Sequence, residues 1–179
     1  ADACRMHGHR LVPLYQLPDA RCGYRLQEEV QLLWLCNPNN PTGQVVEKSW
    51  LCQLLEQNPQ VLFIIDQSYE YFTLHPLFTP EEALRYPHLV LLHSMTKRYA
   101  IPGLRLGYVT GHARMLERLR SQRMPWSVNQ LAIEAGSYLL AHEEEMDIIG
   151  YLREAQLLRT LLIESGMAEV WETKTHFML

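Results

Sequence analysis

Short apolar runs, each closed by a polar cluster and separated from the next by residues at helical spacing, constrain this chain more than any other feature. The run QLLWLC at 31–36 ends in the turn cluster NPNNPTG. VLFIID at 61–66 and LVLLHS at 89–94 end in Asp66 and Ser94, and a shorter run, RLGYV, follows at 105–109. Such runs, rich in branched and aromatic residues and bounded by Gly, Pro and Asn, are strands. Between the first two, Leu51, Leu54 and Leu55 recur on one face of a helix. Beyond Gly111 the spacing predicts helices over 112–122, 127–145 and 148–165, then strands at 168–173 and 175–179. Residues 1–14 read as the end of a helix followed by a strand. Strands alternating with helices give an α/β fold whose mostly parallel sheet is buried on both faces. In such sheets functional groups gather at the carboxyl ends of the strands.

Composition narrows the classes of function. The 179 residues suffice for a domain with a real core. A net charge of −4 gives no electrostatic basis for binding nucleic acid or an acidic membrane. No apolar run approaches the ~20 residues of a membrane span. Cys4, Cys22, Cys36 and Cys52 show no Cys-x-x-Cys spacing and read as free thiols of a reducing cytoplasm. Of the eight histidines only His7 and His9 are close, without carboxylates at ligand spacing, so no metal site is expected. Both ends of the chain read as cut, and the sequence is expected to be a piece of a longer enzyme.

Three strand ends carry polar residues directly after apolar ones: Asn40 in the first turn, Asp66 with Tyr69 after the second strand, and Ser94, Thr96 and Lys97 after the third. Each has an ordinary structural explanation as turn, cap or snorkelling cation. Together they describe chemistry. Lys97 is one of three lysines, and the one that follows a buried strand, where desolvation favours a nucleophilic amine able to form a Schiff base. A carboxylate at Asp66 needs a cationic partner, and a protonated pyridine nitrogen is one. Arg105 with the Ser94 or Thr96 hydroxyl suits a phosphate. Asn40 and Tyr69 are donors for a ring oxygen. This set fits pyridoxal phosphate.

The segments NPNNPTG, DQSY and SMTKRYAIPGLRLGY resemble, in order and spacing, the signatures of fold-type I pyridoxal-phosphate enzymes of the class I/II aminotransferase group. The resemblance implies a three-layer α/β sandwich, with residues 1–142 in the cofactor-binding large domain and 143–179 forming a connecting helix and the start of a smaller C-terminal α+β domain. It implies pyridoxal 5'-phosphate on Lys97, Asp66 at the pyridine nitrogen, Asn40 and Tyr69 at the 3-oxygen, and Ser94, Thr96 and Arg105 at the phosphate. The segment RMPWSVNQLAIEAG at 123–136 is most similar to threonine-phosphate decarboxylase of cobalamin biosynthesis, with histidinol-phosphate aminotransferase as the alternative. A phosphorylated amino-acid substrate, Asn129 facing it, and a cytoplasmic homodimer are implied in turn. Trp126 is expected to pack in the core ahead of a helix that Ser127 caps. His176 departs from the Asn-aromatic pattern of the group. The non-enzymatic alternative is a cofactor-sensing regulator, which would need a basic DNA-binding segment that this sequence lacks.

Overall fold

The computed structural model describes residues 2–14, 26, 29–143, 145–166 and 168–179. Cys22 lies outside the described residues, and Cys4, Cys36 and Cys52 are free thiols. The elements are α1 (Asp2–Met6), β1 (Leu32–Cys36), α2 (Lys48–Gln57), β2 (Leu62–Asp66), α3 (Pro80–Ala83), β3 (Leu89–Ser94), α4 (Met95–Arg98), β4 (Gly107–Gly111), α5 (Ala113–Ser121), α6 (Gln130–Ala141) and α7 (Ile148–Glu164). Four strands form one sheet in the order β1-β2-β3-β4. The first three run parallel, and β4 turns back antiparallel to β3. The fold is α/β, as the alternating pattern predicts. No helix among the described residues is long and apolar enough to cross a membrane.

Period-two alternation divides the sheet into two unlike faces. Leu33, Phe63, Ile65, Leu89 and Leu91 point to one face and join Leu51, Leu54 and Leu55 of α2 and Ala83 of α3 in the core. Phe63 has no solvent exposure there. The short α3 is fixed by a capping box between Thr79 and Glu82, and Glu82 also pairs with Lys48 at the start of α2. The opposite face departs from the expectation of a sheet buried on both sides. Val90 is covered near β4, but Trp34 on β1 is 59% exposed and Leu32 is exposed beside it. Among the described residues no helix lies over that edge as α2 lies over the other face.

Other expectations are corrected. Neither 168–173 nor 175–179 forms a strand, and residues 9–14 form none either. In the C-terminal segment threonine hydroxyls take the place of a neighbouring strand. The Thr173 hydroxyl accepts from Thr175 N at 3.1 Å and donates to the Phe177 carbonyl at 2.6 Å. β4 begins two residues later than the sequence predicts, because Arg105 takes left-handed backbone angles (φ 56°, ψ 52°) that end the extended conformation. Trp126 is not a core residue: it is 96% exposed, with φ 54°. Asn129, not Ser127, caps α6, its side-chain oxygen accepting from Ala132 N at 2.9 Å. Asp147 caps α7 in the same way.

Candidate active site

The strand ends converge as the parallel register requires. Cys36 lies opposite Asp66 across β1 and β2, and Asp66 lies opposite Leu92 across β2 and β3. Cys36, Asp66 and Ser94 therefore share the open face of the sheet at its carboxyl edge. Asp66 accepts a hydrogen bond from Ser68 N at 2.9 Å and has no ion-pair partner among the described residues. Burial pushes the Cys36 thiol up, and the neighbouring Asp66 carboxylate adds to that rise.

Lys97 sits in α4, the single helical turn that follows β3. Its Nζ donates to Ser94 Oγ at 3.4 Å and lies 5.6 Å from the centre of the Tyr69 ring. The other two lysines are engaged elsewhere: Lys48 pairs with Glu82 and Lys174 with Glu172. Lys97 has no carboxylate partner among the described residues. The side chain is exposed, which corrects the expectation that its position after a buried strand would desolvate it. Residue 97 lies past the end of the strand, on a turn at the rim of the sheet. Its neighbour Arg98 anchors that turn, pairing with Glu143 at 2.6 Å and lying 4.0 Å from the Tyr71 ring centre.

Around Lys97 stand two arms. The Ser94 and Thr96 hydroxyls hydrogen-bond to each other at 2.7 Å. On the other side Asn40 Nδ2 donates to the Tyr69 hydroxyl at 2.7 Å, joining the first turn to the segment after β2. Among the described residues, Arg105 makes no hydrogen bond or ion pair to either arm. Its guanidinium donates to the Pro102 carbonyl at 3.2 Å, within its own turn. It rises two residues before Gly107, the cross-strand partner of Ser94. Asn129 donates to the Leu104 carbonyl at 3.2 Å while its oxygen caps α6 at Ala132 N, so its amide ties the backbone beside Arg105 to the start of α6.

The C-terminal segment closes over the first arm. Lys174 N donates to the Gly43 carbonyl at 2.9 Å, and Gln44 Nε2 donates to the Glu172 carbonyl at 2.6 Å. Gly43 has φ 68°, and a Cβ there would collide with the Thr173 side chain. Phe177 meets the Tyr69 ring edge-on at 4.8 Å, and His176 lies 4.3 Å from Phe72 and 5.4 Å from Tyr151. Burial holds the His176 imidazole below the usual histidine value, and its Nδ1 has no hydrogen-bond partner among the described residues.

Three site-supporting residues escaped the sequence reading. Asn37, Gln67 and His93 are buried, each next in sequence to an open-face residue and therefore on the sealed face. Asn37 bonds both the N–H and the carbonyl of Val46, and Gln67 donates to the Phe78 carbonyl at 3.0 Å. Strand parity was the available signal: a polar residue at the end of a strand's buried-face series has to bond something.

The model of the family described as aminotransferase class I and II matches residues 16–178. The chain belongs to that family. Its cofactor is pyridoxal 5'-phosphate. Threonine-phosphate decarboxylase of Salmonella typhimurium is 42% identical over 131 residues, covering 70% of this chain and 35% of that protein. An aromatic amino acid aminotransferase of Thermobifida fusca is 30% identical over 157 residues, 84% of this chain and 43% of that one. The crystal structure of L-threonine-O-3-phosphate decarboxylase from Porphyromonas gingivalis superposes with a TM-score of 0.84 at 31% identity, covering 97% of this chain and 54% of that one. The chain thus spans less than half the length of both sequence relatives.

The residues present fit the cofactor. Asp66, a pair of linked hydroxyls, an amide–phenol pair and Lys97 surround one edge of the sheet, and among the described residues neither Asp66 nor Lys97 has an ion-pair partner. They match the donor and acceptor demands of a pyridinium, a phosphate, a ring oxygen and an aldehyde.

Proposed function

We propose that this chain is the lysine-bearing part of a pyridoxal-phosphate enzyme that decarboxylates L-threonine O-3-phosphate to aminopropanol phosphate for cobalamin biosynthesis. The observation that carries the cofactor chemistry is Lys97, an amine without a carboxylate partner among the described residues, 3.4 Å from Ser94 Oγ and facing the Tyr69 ring. The choice of reaction is supported by the likeness to the two decarboxylases.

When bound, the cofactor supplies an electron sink for a bond breaking at the substrate α-carbon. Asp66 stabilises positive charge at the pyridine nitrogen. Asn40 and Tyr69 bind the ring oxygen. Ser94, Thr96 and, on reorientation of its side chain, Arg105 bind the phosphate. Lys97 would hold the cofactor covalently and would move a proton at the substrate α-carbon. Asn129, whose Nδ2 donates to the Leu104 carbonyl, steadies the turn that carries Arg105. Residues 1–142 belong to the large domain and 143–179 lead into a smaller one, in a cytoplasmic homodimer.

The second reading is amino transfer, supported by the aromatic amino acid aminotransferase relative. The full-length protein separates the two. Carbon dioxide release from threonine phosphate supports decarboxylation. Oxoglutarate-dependent turnover of histidinol phosphate or an aromatic amino acid, without carbon dioxide, replaces it with transamination. Neither activity in the cofactor-loaded protein overturns both and favours a sensor.

A further inference from the structure

The two arms around Lys97 are joined behind the sheet. Glu70 directly follows Tyr69, and His93 directly precedes Ser94. His93 Nδ1 bonds Glu70 Oε1 at 2.9 Å, and Nε2 bonds Thr110 Oγ1 at 2.9 Å. The His93 side chain is 1% exposed and that of Glu70 18%. The ring stacks on Tyr108 with centroids 4.5 Å apart and planes 12° from parallel. Because a carboxylate accepts and does not donate, Nδ1 carries a hydrogen toward Glu70. Both ring nitrogens are engaged, so the imidazole is fixed and has no atom left for substrate.

Its place in the ladder gives this contact a purpose. The β2–β3 pairing ends where Gln67 N donates to the Leu92 carbonyl. Beyond it the chain after β2 turns through Glu70–Phe72, while the chain after β3 enters α4. Past the end of the ladder, the His93–Glu70 bond ties these two segments behind the arms, and on the open side the Lys97 amine lies over Tyr69.

We propose that His93 and Glu70 form a positioning strut that sets the distance between the ring arm (Asn40–Tyr69) and the phosphate arm (Ser94–Thr96). This rests on the pyridoxal-phosphate reading above. A ligand held at both ends gains from correct spacing, because binding one end presents the other at a high effective concentration. A ligand held at one end does not. The strut therefore acts on pyridoxal phosphate and leaves its separate parts alone.

The test measures dissociation constants of the full-length apoprotein for pyridoxal phosphate, unphosphorylated pyridoxal and inorganic phosphate. His93→Leu is expected to weaken pyridoxal phosphate about tenfold, as for loss of one buried charge-assisted hydrogen bond. Pyridoxal and phosphate are expected to stay within about twofold. His93→Asn, which keeps a donor near the Nδ1 position, is expected to recover most of the loss. Glu70→Ala, at the less buried end of the bond, gives the same pattern and replaces His93→Leu if that variant does not fold. Unchanged pyridoxal-phosphate affinity overturns the strut, and so does an equal loss for all three ligands, which reports a general structural fault. A wild-type protein that binds no pyridoxal phosphate instead overturns the functional reading on which the strut depends.

Discussion

The two faces of one sheet carry different burdens. At the carboxyl edge, adjacent residues of each strand point opposite ways: Cys36 and Asn37, Asp66 and Gln67, Ser94 and His93. On the open face Asp66 lacks a cationic neighbour among the described residues and Ser94 receives a bond from Lys97. Those on the sealed face bond Val46, Phe78, Glu70 and Thr110, each fixing a loop or strand in place. Reactive groups are thus left available on one side because the other side satisfies the backbone that presents them. A residue's role is set by parity as much as by type.

Substitutions on opposite faces should separate chemistry from stability. The largest effect is expected from Lys97→Ala in the full-length protein. It should abolish the visible absorbance of cofactor joined to lysine and reduce turnover by about a thousandfold or more, since the covalent step is lost. The unfolding midpoint of the apoprotein should barely move, because the side chain is exposed. The converse is Phe63→Ala on the sealed face. It removes a fully buried ring and should cost about 3–5 kcal/mol in denaturant unfolding. The protein that remains folded should still bind cofactor. Asn37→Ala comes next, at about 1–3 kcal/mol, because it leaves the half-buried N–H and carbonyl of Val46 without their bonds. If Phe63→Ala removed turnover while leaving stability intact, the division between faces would fail.

The strands were legible because each is a short apolar run, and the site because polar residues follow those runs directly. What could not be read depends on partners distant in sequence. The exposure of Lys97 follows from a helical turn at the sheet rim. The choice of Asn129 over Ser127 as a cap follows from the Leu104 carbonyl lying within reach of its amide. The stretch AEVWETKTHFML has strand-like composition, but the Thr173 and Thr175 hydroxyls satisfy its backbone instead. The sealed-face supports were missed although their alternation was present in the sequence.

The smallest expected effect sharpens the comparison at its edge, where the C-terminal segment covers Tyr69. Burial lowers the His176 pKa from the ordinary value near 6.5. As pH falls through about 6.5 the unfolded chain takes up a proton that the folded chain resists, so stability is complete above that pH and declines below it. His176→Phe should flatten this acid-side decline. Denaturant midpoints measured at pH 5.5 and 7.5 check it, and an unchanged slope in the variant would assign the decline to other groups.

Docking of the C-terminal segment also has a kinetic meaning. The bond from Gln44 to Glu172 joins residues 128 positions apart, and Lys174 closes on Gly43 beside it. Contacts between such distant residues carry a large loop-closure entropy and slow the folding of chains that rely on them. The turn bearing Asn40 is synthesised before its cover, which follows more than a hundred residues later. Until then the turn at Gly43 lacks its bonds to Glu172 and Lys174, and the Asn40 segment gains that support only when the distant segment arrives.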